Sequence, residues 1–278
     1  MPHGPLFLVS FAALPDAQGR YLVERHTLSY VPSVGVLRYT KGHRPPETES
    51  SRPARLLVVG NPAMPRLPGR TSRPSPLPGA EAEALAISRL YPAGSVTTLL
   101  GPRAEERRVR ELAHGSTIIH LATHGFIRDD QPLDSLLALA PVEVAPTADG
   151  EGDGLLTVRK IIGMDLDAQL VVLSACNSGL GRINGDGVVG LARAFLYAGS
   201  RSVLASLWRV ADEVTSPQMV QFYGAFQHNG GRTAVALRRA QLLTLRGLRQ
   251  RRYRTSSGAA VPPLPTFWAS FILIGEPG

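Results

Sequence analysis

Residues 170–179 read LVVLSACNSG, four aliphatic side chains running into Ser174, Ala175 and Cys176, then the turn-forming Asn-Ser-Gly. A short apolar run bounded by turn residues reads as a strand buried on both faces. Cys176 is the only cysteine in the chain, and it stands where that strand stops. Five further β-rich runs recur: RLLVVGNP (55–62), VTTLL (96–100), STIIHLATHG (116–125), RSVLASLW (201–208) and WASFILIG (268–275). Helical patterns lie between them: GAEAEALAISRLY (79–91), RAEERRVRELAHG (103–115), GDGVVGLARAFLYAG (185–199) and DEVTSPQMVQFYGAFQ (212–227). In the last, Met219, Phe222, Tyr223 and Phe226 share one helical face, and Pro217 after Ser216 suits a first turn. Apolar strands alternating with helices predict an α/β domain whose mostly parallel sheet is covered by helices on both faces.

The composition, 44% hydrophobic and 19% charged over 278 residues, fits a globular chain of this kind. One cysteine permits no intrachain disulfide, which suits a reducing cytosol. No run approaches the roughly 20 apolar residues of a membrane span, so no membrane association is expected. PLFLVSFAALPDA (5–17) has the apolar centre of a signal peptide, but only His3 precedes it. Its Pro and Asp suit a strand and turn, and no export signal is read. The net charge of +8 raises nucleic acid as a partner. Much of the excess sits in RGLRQRRYR (246–254), where arginines closing a helical pattern complement its dipole. Neither zinc-finger spacing nor an aromatic-interleaved basic groove accompanies them, so nucleic acid is not expected. KGHRPPETESSRPAR (41–55) and NPAMPRLPGRTSRPSPLPG (61–79), the latter with six prolines, read as loops. The first separates a hairpin-like N-terminal extension (1–52) from the main domain (53–278).

In open α/β sheets, ligands bind beyond the carboxyl ends of the strands. His124-Gly125 follows TIIHLAT, and Cys176 follows LVVLSA. If those strands are parallel neighbours, an imidazole and a thiol meet at one edge, as a nucleophile and its acid–base partner. The plain alternative for Cys176 is a small buried hydrophobe. His120 and His124 also spell H-x3-H, but on a strand they stand about 13 Å apart at roughly 3.3 Å per residue, too far to share a metal ion. His120 is expected as a packed, hydrogen-bonded histidine. GDGVVG (185–190) matches a dinucleotide fingerprint, with Asp212 lying 22 residues beyond Gly190. That fingerprint needs its first glycine directly after a strand, whereas the loop NSGLGRING follows Cys176. Gly185 and Gly187 are expected to shape a loop, and Gly190 and Ala192 to allow close helix–sheet packing. No cofactor or metal is implied.

HLATHGF, GLLTVRKI, LVVLSACNSGLG, GDGVVGLARAFLYAGSRSVLASLWRVADEVT and FWASFILIGEPG stand in order between residues 53 and 278. Together they resemble the CHAT domain, a caspase- and separase-related peptidase domain often found after tetratricopeptide repeats. PHGPLFLVSFAAL and GRYLVERHTLSYVPS extend the likeness more weakly toward the N-terminus. The resemblance implies a caspase-like three-layer α/β/α fold and a His/Cys dyad at His124 and Cys176. Their 52-residue separation is close to the roughly 50 of caspases. It further implies a thiol endopeptidase: Cys176 attacks a peptide carbonyl, His124 moves the protons, and the N–H groups of Gly125 and Cys176 hold the oxyanion.

SLWRVADEVT should border the pocket for the residue before the cut, bringing Trp208, Arg209 and Asp212 to it. Asp212 fills the family's acidic position, although its companion acid is Ala211 here, and Asp186 is a second acidic candidate. A carboxylate there selects Arg or Lys, whereas Arg209 would select Asp; the basic preference is carried forward. Family-type proteins have a strand and helical repeats before PHGPL, so the chain, with Met1 immediately before it, reads as a fragment or a shortened product. The partners implied are a protein substrate and a tetratricopeptide-repeat region or activating protein. The alternative from another class is a caspase-like scaffolding or signalling module with little turnover.

Overall fold

The computed structural model describes residues 1–2, 4–31, 35, 54–128, 130–142, 152–174, 176–177, 185–208 and 211–278, with backbone alone at 4–5, 176–177 and 185–189. The first half comprises α1 (Leu22–Arg25), β1 (Leu56–Pro62), α2 (Pro78–Ser88), β2 (Val96–Gly101), α3 (Glu106–His114), β3 (Ile118–Ala122), β4 (His124–Phe126) and β5 (Leu136–Ala138). There follow β6 (Leu155–Thr157), α4 (Val158–Ile162), β7 (Leu170–Leu173), β8 (Cys176–Asn177) and α5 (Gly185–Tyr197). The chain closes with β9 (Ser202–Ser206), α6 (Asp212–His228), α7 (Thr233–Arg249), α8 (Pro265–Trp268) and β10 (Phe271–Gly275).

The apolar runs form one six-stranded sheet in the order β2-β1-β3-β7-β9-β10, parallel throughout except for antiparallel β10. Side chains alternate across each strand. Leu57, Val59, Ile119, Leu121, Val171 and Leu173 therefore face α3, α4 and α5, where Val109, Ile161, Leu191 and Phe195 meet them. Leu56, Val58, Ile118, Leu170 and Val172 face α2, α6 and α7, packing on Ile87, Met219, Phe222, Phe226 and Leu237. The result is the three-layer α/β/α arrangement. Burying each such side chain contributes roughly 1.5–3 kcal/mol, which is why runs without polar alternation fold as central strands.

A second sheet, ordered β6-β5-β4-β8, lies outside the sequence expectation. Strands of three residues or fewer leave no periodicity to read and exist through their partners. Glu106 ties this sheet to α3: fully buried, it accepts from Lys160 Nζ at 3.0 Å and from the Gly152 N–H at 3.1 Å.

Several local expectations change. Residues 4–8 and 11–13 are 3-10 turns rather than a strand or hairpin, and Pro15 and Tyr21 form an isolated bridge. The Tyr30 hydroxyl takes the backbone groups a hairpin would pair, donating to the Val9 carbonyl at 2.7 Å and accepting the Phe11 N–H at 2.8 Å. Gly185 and Gly187 lie within the first turn of α5, not in a loop, and a Cβ at Gly190 would meet nothing within 4 Å. Close packing there falls to Ala192 and Ala194. Pro217 sits in the second turn of α6, because that helix already starts at Asp212. The arginine run behaves as read: Arg246 and Arg249 occupy the last turn of α7, and Arg249 reaches Glu24 at 3.1 Å. Residues 41–53 and the boundary drawn at 52/53 lie outside the described residues. No helix among the described residues is long and apolar enough to cross a membrane.

Tyr30 also closes the exposed edge of β10. Its N–H donates to the Leu273 carbonyl at 2.7 Å, and its carbonyl accepts the Gly275 N–H at 2.9 Å, so the edge is not left as a template for another chain. Burial pushes its phenol up to about 12 from 10.0, against the opposing Phe11 N–H. A raised pKa means that the folded state holds the proton more tightly. The stability it brings is complete below pH 10 and is lost as pH rises toward 12. Tyr30→Phe should cost about 1–2 kcal/mol at neutral pH, by stranding the Val9 carbonyl and the Phe11 N–H. It should also flatten the alkaline fall, leaving the shares of Tyr91 and Tyr223; urea unfolding from pH 7 to 12 measures both effects.

Candidate active site

Two neighbouring strands of the large sheet, β3 and β7, run on into two neighbouring strands of the small one, β4 and β8. Both pairs are parallel, and both keep the same 52-residue offset, from Ile118↔Leu170 through Leu121↔Leu173 to His124↔Cys176 and Gly125↔Asn177. The two strand ends singled out from the sequence therefore stand directly opposite one another. Thr123 makes the crossover rigid: it is buried and donates its hydroxyl to the Ala138 carbonyl. Gly125 continues β4, paired with Leu137 on one side and Asn177 on the other.

His124 is 6% exposed. Its orientation comes from the proline-rich segment after β1, which forms a strap across the small sheet. Met64 and Leu67 of the strap pack on Phe126, Leu136 and Leu155. Asn61, at φ 47°, fastens the far end by accepting the Leu77 N–H at 2.7 Å and donating to Glu81 at 2.9 Å. The strap sets the Ser75 carbonyl 2.8 Å from His124 Nε2. A carbonyl only accepts, so Nε2 carries the hydrogen, and the neutral ring has its basic lone pair at Nδ1.

Beside His124 opens a cleft of ≈ 550 Å³, including the solvent at its mouth. Its walls are the first two turns of α2 (Gly79, Glu83) and of α6 (Asp212, Thr215, Ser216), and the strand ends Thr123, His124 and Ser174. Asp212 enters from α6 against the first turn of α2 so closely that a Cβ on Gly79 would run into its carboxylate. His120 is the core histidine expected. It lies on the α2/α6 face of β3, with Nδ1 3.1 Å from the Tyr223 hydroxyl and Nε2 3.0 Å from Glu83 Oε1. Among the described residues no group of His, Cys, Asp and Glu could hold a metal ion.

Of the residues read from sequence, His124 and Asp212 line one cleft, and the Cys176 backbone stands in register with His124. Trp208 does not line it; its indole N–H donates to the Thr266 carbonyl at 2.8 Å, and its ring packs between two core clusters. Arg209 and the side chains of Asp186 and Cys176 lie outside the described residues. Sequence reading missed Ser75, Glu83, Thr215 and Ser216. Glu83 did leave a signal: Ala80, Glu83, Ala84 and Ile87 follow the i, i+3, i+4, i+7 spacing of a buried face, on which an acid is out of place.

A sequence model of the CHAT domain matches residues 1–276. Tetratricopeptide repeat protein 28 of Homo sapiens is 29% identical over 303 residues, covering 98% of this chain and 12% of that protein. Its Mus musculus counterpart is 29% identical over 307 residues, with the same coverage. The chain thus spans 12% of the length of the curated relatives it matches. In structure it is similar to separase in the Saccharomyces cerevisiae separase–securin complex, with a TM-score of 0.51 and 14% identity over 90% of this chain and 14% of that one. The fold is caspase-like.

Replacing a helical glycine by alanine ordinarily gains up to about 1 kcal/mol. At Gly79 the added methyl meets the Asp212 side chain, and Gly79→Ala should instead lose roughly 1–3 kcal/mol as the carboxylate is displaced. Urea unfolding decides the sign; a gain would contradict the placement of Asp212 against α2.

Proposed function

The chain belongs to the CHAT family, and from that premise we propose that it is a cysteine endopeptidase with His124 and Cys176 as its dyad. The observation that carries this reading is the 52-residue offset shared by the β3/β7 and β4/β8 pairs, which sets His124 opposite Cys176 at the carboxyl ends of parallel strands. The Ser75 carbonyl supports it as the third group that orients the base. In the proposed reaction the Cys176 thiolate attacks the scissile carbonyl and forms a thioester. His124 gives a proton to the departing amine, then takes one from the hydrolytic water. The N–H groups of Gly125 and Cys176 carry the oxyanion.

Asp212 in the adjoining cleft supports a preference for Arg or Lys before the cut, as a carboxylate attracts a cationic guest. Asp186 is retained as a second acid. Arg209 in the cleft would reverse the preference toward Asp. We place the activity in the cytoplasm, with a repeat region or activating protein as its partner.

Acyloxymethylketone peptides bearing Arg or Asp before the warhead test the proposal on the folded chain, with Cys176→Ala as blank. The Arg probe should label Cys176 faster than the Asp probe, and His124→Ala should slow labelling by roughly 10²–10⁴. Equal labelling of wild type and His124→Ala would remove the dyad. No labelling of a folded chain, with or without a repeat region supplied, would favour a scaffold.

A further inference from the structure

The run from Arg246 to Arg254 carries five arginines, and the turn that ends α7 displays them. Arg252 donates its N–H to the Gly247 carbonyl at 2.9 Å, and Arg251 donates to the Leu248 carbonyl at 3.0 Å. This pair of bonds closes a helix through one residue of left-handed backbone, a place that glycine ordinarily takes. Here that residue is Arg251, at φ 54°, although a Cβ makes the conformation costly. The glycine stands instead at 247, inside the last turn of α7. There the ring of Tyr253 folds back so closely that a Cβ on Gly247 would lie 2.6 Å from it. The Tyr253 hydroxyl in turn accepts from Gln221 Nε2 of α6 at 3.3 Å. The ring and its glycine seat thus pin the chain just past the turn, leaving Arg251 and Arg252 exposed between two fixed points.

Little of this charge is used within the protein. Arg249 pairs with Glu24 at 3.1 Å, and Arg254 donates to the Gly258 carbonyl at 2.9 Å. Among the described residues, Arg246, Arg251 and Arg252 form no ion pair. The helix dipole favours cations only over the last turn, where Arg246 and Arg249 already stand, so it does not account for Arg251 and Arg252. Crowded like charges on a left-handed backbone weaken the fold, and such a conformation kept without structural benefit points to function. We infer that this turn is a docking surface for an acidic polypeptide segment of a partner protein, whose carboxylates pair with the forked guanidinium groups of Arg246, Arg251 and Arg252. The exposed side chains of residues 246–254 are those of the arginines and Gln250. They offer no apolar group to enter a bilayer, and the ring of Tyr253, held against Gly247, is no open platform for a base. The net charge of +8 steers an acidic partner toward the chain. Leu245 and Leu248 share an apolar cluster with Val214 of the first turn of α6, so the surface lies across the start of α6 from the cleft. The inference does not depend on turnover.

The test titrates fluorescein-labelled hexaglutamate and hexaglutamine peptides with the full chain at low salt, read by fluorescence anisotropy. Wild type is compared with Arg251→Gly and with the triple variant Arg246→Gln, Arg251→Gly, Arg252→Gln. Wild type should bind hexaglutamate in preference to hexaglutamine, with an affinity that falls as salt is added. Arg251→Gly should weaken that binding about threefold, and the triple variant at least about tenfold. Arg251→Gly should at the same time hold or raise the urea midpoint, because glycine suits the left-handed position; docking lost without stability lost separates the two roles. The rate at which iodoacetamide alkylates Cys176 should be the same in all three proteins, as the surface stands apart from the cleft. No binding of hexaglutamate by wild type, or equal affinity in the folded triple variant, would overturn the inference. So would a single-stranded deoxythymidine hexamer that binds tenfold more tightly than hexaglutamate through the same arginines, since the surface would then belong to nucleic acid.

Discussion

The architecture depends on the parallel pairing of β3 with β7, carried in register into β4 and β8. Both strands are buried on both faces, so a slip of one residue would exchange the side chains packed against α3–α5 with those packed against α2, α6 and α7. His120 makes the slip costlier still. It would leave Glu83 and Tyr223 behind and enter the apolar cluster on the opposite face. Packing in the core thus fixes, three residues beyond the last β3/β7 pair, which residue faces Cys176.

What the register does not supply, the strap and two helix starts do. The strap brings a backbone carbonyl to His124, and Asn61 pins the strap where it becomes α2. α2 and α6 begin side by side, and Gly79 leaves the space that Asp212 fills. Carboxylates at helix N-termini are favoured by the helix dipoles, so an acid between two such ends is compatible with local stability as well as with a cationic guest. The cleft contains one acid delivered by a loop-to-helix junction and another buried in a helix face.

The large sheet was legible because its strands are continuous apolar runs separated by helical periodicity, a pattern few other arrangements satisfy. The pairing of His124 with Cys176 was legible because both follow such runs at the same sequence distance. The small sheet was not: Leu136–Ala138 and Leu155–Thr157 are too short to show alternation, and pairing alone makes them strands. Ser75 contributes a carbonyl, which has no side-chain signature. Glu83 was hidden inside a pattern read for its helix rather than for the acid on its buried face. Trp208 was expected at the cleft from its place after β9, yet its indole turns away to donate to the Thr266 carbonyl. Gly185 and Gly187 showed that glycines near a strand end need not mark a loop; here they open a helix.

The register is tested most directly by a thiol pair. Cys176 is the only cysteine, so His124→Cys leaves two, on directly opposed positions of neighbouring strands. Dibromobimane, which fluoresces once it has alkylated two thiols at short range, is added to this variant and to the same variant carrying Cys176→Ser. Rapid intramolecular fluorescence in the first and none in the second is the predicted result. Two titratable thiols in a folded chain with no cross-linked fluorescence would contradict the pairing, and the dyad with it.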